Sequence, residues 1–274
     1  MSRPTKVWLC GLLLILAAIG IWLRDTSWIH EASDMVPLAV GVPLAWFLGG
    51  PWKIETSPVS HHLKKLGVAG VLVWLIGWVV GSITALTVGW TAVCVVWATW
   101  AFAPEERRGR LSLVLLFSFP WLVLEWPQIG WLFRLTSAEL AEGFFKLLAM
   151  PVVREGTHLR VMNVPVDIEA ACAGWNLLQL TLLAGVVMGA YEIRAARRFY
   201  GLLLFLPILA WVANFLRILI LTAIALSFDV DLAAGTVHGL TGLVILFAVL
   251  AMTKGICRLL EPKRTASRRV VSAT

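Results

Sequence analysis

Three side chains able to carry covalent acyl transfer, Cys172, Arg217 and His238, stand at the ends of three consecutive apolar segments of membrane length. A thiol can be the nucleophile, an imidazole the base that takes its proton, and a guanidinium the fixed cation for the oxyanion that forms. Cys172 lies in Asp167-Ile-Glu169-Ala-Ala-Cys172-Ala-Gly174-Trp-Asn176, where a connecting segment enters an apolar run. A small packing residue is the plain alternative there. Yet Cys172 is the only cysteine at such a boundary, and a helix N-terminus favours the thiolate. Asp167 and Glu169 oppose ionisation, so a base or cation must stand close by. Arg217 lies in Asn214-Phe-Leu-Arg217, with Asn214 one turn earlier on the same face to hold the guanidinium. It can be read as a snorkelling residue, but an intramembrane cation is costly and marks a functional site by default. His238, in Gly235-Thr-Val-His238-Gly, is by itself an ordinary packed or interfacial histidine. Depth joins the three.

Lipid must position these groups. Of the 274 residues 59% are hydrophobic and only 14% charged, with mean hydropathy +0.85. A soluble domain of this size cannot hide so much apolar surface, so an all-α polytopic bundle is expected. The net charge of +7 sits in short loops and a basic tail. That pattern fits lipid contact and topology signals rather than nucleic acid. The cysteines show neither metal nor disulfide spacing, and no cofactor or metal is expected. The N-terminal apolar run reads as a retained first helix.

At about 20 apolar residues per crossing, eight spans are predicted. They are Val7–Leu23, Met35–Gly50, Gly67–Leu86, Val88–Ala103, Leu111–Phe133, Trp175–Tyr191, Phe199–Ser227 and Leu232–Ile256. Eight crossings put 17 basic residues on one side and five (Arg24, Arg134, Lys146, Arg154, Arg160) on the other. The positive-inside rule then places both termini in the cytoplasm and segment 134–174 outside it. Within that segment Thr136 and Glu139 have capping-box spacing, and Ser137–Met150 is predicted as an amphipathic helix on the membrane surface. Val152–Ile168 is predicted as a hairpin or extended stretch. Counting 18 residues from Phe199, about 27 Å, brings Arg217 to the outer interface with Cys172 and His238.

The motifs Ala171-Cys172-Ala173-Gly174, Asn214-Phe-Leu-Arg217 and His238, preceded by Phe119-Pro-Trp and Met150-Pro-Val-Val, resemble the exosortase/archaeosortase family. These are membrane-embedded cysteine transpeptidases. Ala173 replaces the family's usual serine, and Asn176 stands where many members carry arginine. The resemblance covers about Leu111 to Phe247; the front half matches only as hydrophobic spans. It implies Cys172 as nucleophile, Arg217 as transition-state stabiliser and His238 as base or acid, supported by Asn214, Glu169 and Gly174. The implied substrates are secreted proteins whose C-terminal signal joins a short motif, a transmembrane helix and a basic cluster. Implied organisation is residues 1–110 as N-terminal helices, 111–257 as catalytic core and 258–274 as a basic cytoplasmic tail. The contrasting expectation, a transporter or export scaffold, usually calls for several deep polar groups. Glu125 is the main deep carboxylate here, and no GxSxG elbow points to a serine enzyme.

Overall fold

A computed structural model describes residues 2–30, 32–55, 58–102, 106–162, 164–167, 174–228 and 235–261. In order these form α1 (Arg3–Trp22), α2 (Ala32–Leu48), α3 (His61–Val80), α4 (Ile83–Ala101), α5 (Glu106–Leu111), α6 (Val114–Ser118), α7 (Trp121–Glu125) and α8 (Pro127–Leu147). Strands β1 (Val152–Glu155), β2 (His158–Val161) and β3 (Val164–Asp167) follow, then α9 (Trp175–Glu192), α10 (Ala196–Phe228) and α11 (Gly235–Leu260). The protein is a polytopic helical membrane protein. Among the described residues five helices are long and apolar enough to cross: α1, α3, α4, α10, and α11 from Gly239 onward. The predicted second span is the 17-residue α2, with Pro37 and Pro43 inside it, and the sixth is the 18-residue α9.

The predicted fifth span, Leu111–Phe133, is not one helix. Pro120 and Pro127 lack the N–H that a continuous helix needs, and the segment divides into α6, α7 and the start of α8. Carbonyls left at the break are met from elsewhere. Gln179 of α9, 4% exposed, donates Nε2 to the Phe117 oxygen at 3.0 Å and the Ser118 oxygen at 3.4 Å. Trp121 donates Nε1 to the Leu116 oxygen. Glu125, the deep carboxylate of the sequence, accepts from the Thr84 amide at 2.5 Å at the N-terminus of α4. It therefore complements that helix's positive end.

The turn between α3 and α4 falls at Gly81 and Ser82 rather than near Thr87, where hydropathy placed it. Gly81 takes φ +86°, and Ser82 caps α4 by accepting from the Ala85 amide. Backbones then approach closely. A Cβ on Gly89 would lie 2.5 Å from the Trp74 amide nitrogen, and one on Gly77 would lie 2.7 Å from that of Leu86. Without a hydrophobic force between helices in lipid, such small-residue seams supply the packing. On its other side α4 holds α1: Trp90 and Trp97, seven residues apart, donate to the oxygens of Leu14 and Val7, also seven apart. Trp22, Trp28, Trp90 and Phe119 complete an aromatic cluster that ties α1 and α4 to the break before α7.

Central α9 packs against α10 through Gly185 and Gly189, which leave room for Leu206 and Phe199. At its C-terminal end Arg110 donates to the oxygens of Ile193 and Arg194. Nearby Arg198 reaches the Leu260 oxygen and Glu261, and Lys254 pairs with Glu192. One end of the bundle is thus a basic collar whose cations neutralise helix C-termini.

At the opposite end lies the predicted amphipathic helix, now part of α8. It begins at Pro127, so Thr136 is interior: its hydroxyl donates to the Leu132 oxygen and no capping box forms. Ala138, Ala141 and Phe145 face Leu159, Val161 and α10's Ile218, while Leu140, Phe144 and Leu147 stay exposed. The predicted hairpin is an antiparallel three-stranded meander, β1-β2-β3. Glu142 pins it to α8 by accepting from Lys146 and from Arg154 of β1, both at 2.7 Å.

Two outcomes are expected from this packing. Gly89→Ala should cost about 1–3 kcal/mol of stability, read as a lower thermal midpoint in detergent, whereas Gly255→Ala, with open space around it, should be neutral or slightly stabilising. The hydrogen bonds from Lys146 and Arg154 hold the Glu142 carboxyl below its usual range. A depressed value means the pairing is fully present above the ordinary carboxylate pKa and is lost as pH falls through the folded one. Glu142→Gln, which mimics the protonated group at neutral pH, should raise proteolytic nicking at Gly156–Thr157 severalfold.

Candidate functional site

The site is built around the second half of α10, where Asn214 and Arg217 share a face. Asn214 is fully buried. It lies against Gly174, the residue that opens α9: a Cβ there would come within 2.8 Å of the Asn214 Cγ. Gly174 also takes φ +77°, so the chain turns into α9 in a conformation that disfavours any side chain. Cys172 stands two residues before it in sequence.

Arg217 lies against α11. A Cβ on Gly242 would sit 3.2 Å from its Nη2 and 3.4 Å from its Cζ. Gly242 is one helical turn beyond His238, which occupies the first turn of α11. Thus α10 carries its asparagine against the entry to α9 and its arginine against the first turns of α11. Cys172 and Glu169 lie outside the described residues, as does the side chain of His238. The structure brings together Gly174, Asn214, Arg217 and the His238 turn.

Two tryptophans frame this arrangement. Trp175, the first residue of α9, stacks on Phe133 of α8 with ring centroids 6.1 Å apart, and its indole fills the space beside Gly130. Trp211, one turn before Asn214, donates Nε1 to the Thr136 hydroxyl at 3.1 Å. Helix α8 therefore crosses over the start of α9 and the middle of α10. Among the described residues no group of three His, Cys, Asp or Glu is arranged to hold a metal ion.

A family model of transmembrane exosortases matches residues 9–255 of the 274. The chain belongs to the transmembrane exosortase family. No curated protein and no solved structure matches it. The exosortase match starts in α1 and takes in α2–α4, so the front half is more than the set of hydrophobic spans read from sequence. The site elements α8, α9 and α10 fall within it, as does most of α11.

Sequence reasoning named Asn214, Arg217 and Gly174, and the geometry joins them. It missed Gly242, whose signal was its four-residue spacing from His238, and the framing contacts of Trp175 and Trp211. Gly174→Ala is expected to cost about 1–3 kcal/mol, from the positive φ and the Asn214 overlap together. Gly201→Ala, where a Cβ meets nothing, serves as the control in the same thermal measurement.

Proposed function

We propose that this exosortase is a cysteine peptidase and transpeptidase that cuts the C-terminal sorting signal of secreted proteins through a thioester. The observation that carries this reading is the packing of α10 against the starts of two helices. Asn214 touches the entry to α9 two residues after Cys172 in sequence, and Arg217 touches α11 one turn from His238. In the proposed reaction His238 takes the Cys172 proton as the sulfur adds to the peptide carbonyl carbon. Arg217 holds the negative oxygen of the tetrahedral adduct, a role suited to a permanent cation. Collapse breaks the C–N bond, and His238 returns the proton to the departing amine. An acceptor amine or water then attacks the thioester and restores the thiol. Asn214, Glu169 and Gly174 support this set.

The proposed location is the cytoplasmic membrane, with both termini in the cytoplasm and the site on the extracytoplasmic side. The 17-to-5 division of basic residues supports this orientation, as does the collar of Arg110, Arg198 and Lys254 at the end away from Arg217. Substrates would be secreted proteins ending in a short motif, a transmembrane helix and a basic cluster, whose helix would lie beside this bundle in lipid. Residues 111–257 form the proposed catalytic part. Residues 1–110 brace it through the aromatic cluster around Phe119, and 258–274 form the basic cytoplasmic tail.

The test is the intact mass of secreted proteins from cells carrying wild-type or variant enzyme. Cys172→Ala should abolish processing. Arg217→Lys, which keeps the charge but loses the planar fork, and His238→Ala should slow it at least about a hundredfold. Each variant should remain inserted at normal abundance. Unchanged processing by Cys172→Ala would remove the proposal.

A further inference from the structure

Helix α8 carries a second arginine at this end of the bundle. Arg134 lies between the two points where α8 is held, Phe133 on Trp175 and Thr136 on Trp211. Its Nε is buried without a hydrogen-bond partner. One turn on, Ser137 is 0% exposed and its hydroxyl has no partner either. The two lie three residues apart on one face, in line with Gly130, which meets Trp175, and Ala141, which packs in the cluster with Ile218. That is the inward stripe of α8.

Arginine cannot shed its proton, so a part-buried guanidinium needs a counter-charge. Of the two acidic residues of α8, Glu139 is exposed to the outside and Glu142 is already engaged by Lys146 and Arg154. A donor fork beside a hydroxyl, on the stretch of α8 held between Trp175 and Trp211, has the chemistry to take a carboxylate through two N–H bonds and one O–H bond. A lipid phosphate is the poorer fit, because the buried Ser137 and the flanking tryptophans turn this stripe into the protein rather than towards lipid.

We propose that Arg134, backed by Ser137, is a substrate-binding residue that takes an acidic side chain of the peptide near the scissile bond. The inference rests on the sorting-peptidase reading above, and the peptide carboxylate is what makes α8 part of substrate selection.

The experiment starts from a secreted protein that wild-type enzyme cuts and Cys172→Ala spares. Each Asp or Glu within about six residues of the cut, ~20 Å of extended chain, is changed to its amide. One amide should slow cutting by the wild type about ten- to a hundredfold, the effect of a charge-assisted hydrogen bond. Arg134→Gln should cut the acid and amide substrates at the same slow rate, and Arg134→Lys should keep part of the preference. A merely structural role for Arg134 would lower both rates and leave their ratio intact, which overturns the proposal. Wild-type indifference to every amide, or a substrate with no acidic residue in that window, overturns it as well. So does an Arg134→Gln defect that follows the anionic-lipid content of nanodiscs and not the substrate. If no secreted protein depends on Cys172, the parent reading fails and this one falls with it; Cys172 dependence without acid preference removes this one alone.

Discussion

A carbonyl that leaves its helix inside hydrocarbon has no water to turn to, and this constraint explains where the chain keeps its few polar side chains. The break between α6 and α7 frees the oxygens of Phe117 and Ser118, and Gln179 is buried in α9 to meet them. The end of α2 leaves the Gly49 and Pro51 oxygens, and Arg108 reaches both. The end of α9 is met by Arg110, and the end of α11 by Arg198. Each of these donors lies outside the segment whose carbonyl it meets, so each closes two segments together. The interruptions act as joints in the assembly.

The same constraint marks the limit of what could be read in the chain. Hydropathy located the long crossings because lipid imposes a length on them. It failed at Leu111–Phe133, where the run stays apolar although Pro120 and Pro127 interrupt it. Whether such a break is tolerated depends on a glutamine 59 residues away, which no local pattern announces. The turn at Gly81–Ser82 carried its own signal, a glycine followed by a capping serine, but the apolar run continued past it and outweighed the signal. Thr136 and Glu139 had the spacing of a helix start, yet the Pro127 at the first position of α8 was the stronger marker.

Within the candidate site, legibility followed chemistry. Arg217 and Asn214 stood out because polar groups in an apolar run are expensive. Gly174 was named only through the motif around Cys172 and Gly242 was missed, because a glycine's meaning lies in its neighbour. They allow α10 to come close to the starts of α9 and α11, joining residues 40 apart in the chain at one contact and 25 apart at the other. The front helices add nothing to this set directly. Through Phe119 and the tryptophans around it they fix the end of α6, and through Gln179 that position is passed to α9.

Helix α10 runs unbroken for 33 residues, with Pro207 inside it, a length of about 50 Å. The hydrocarbon of an ordinary bilayer is about 30 Å thick. From Ala196 beside the basic collar to Arg217 is 21 residues, close to that thickness, and a further 11 carry the helix onward to Phe228. A rigid helix cannot shorten to suit a thinner membrane or stretch to suit a thicker one; it can only tilt. Hydrophobic mismatch would therefore be felt at both ends of α10 at once, and the arginine's height above the acyl chains is tied to membrane thickness by a single rod.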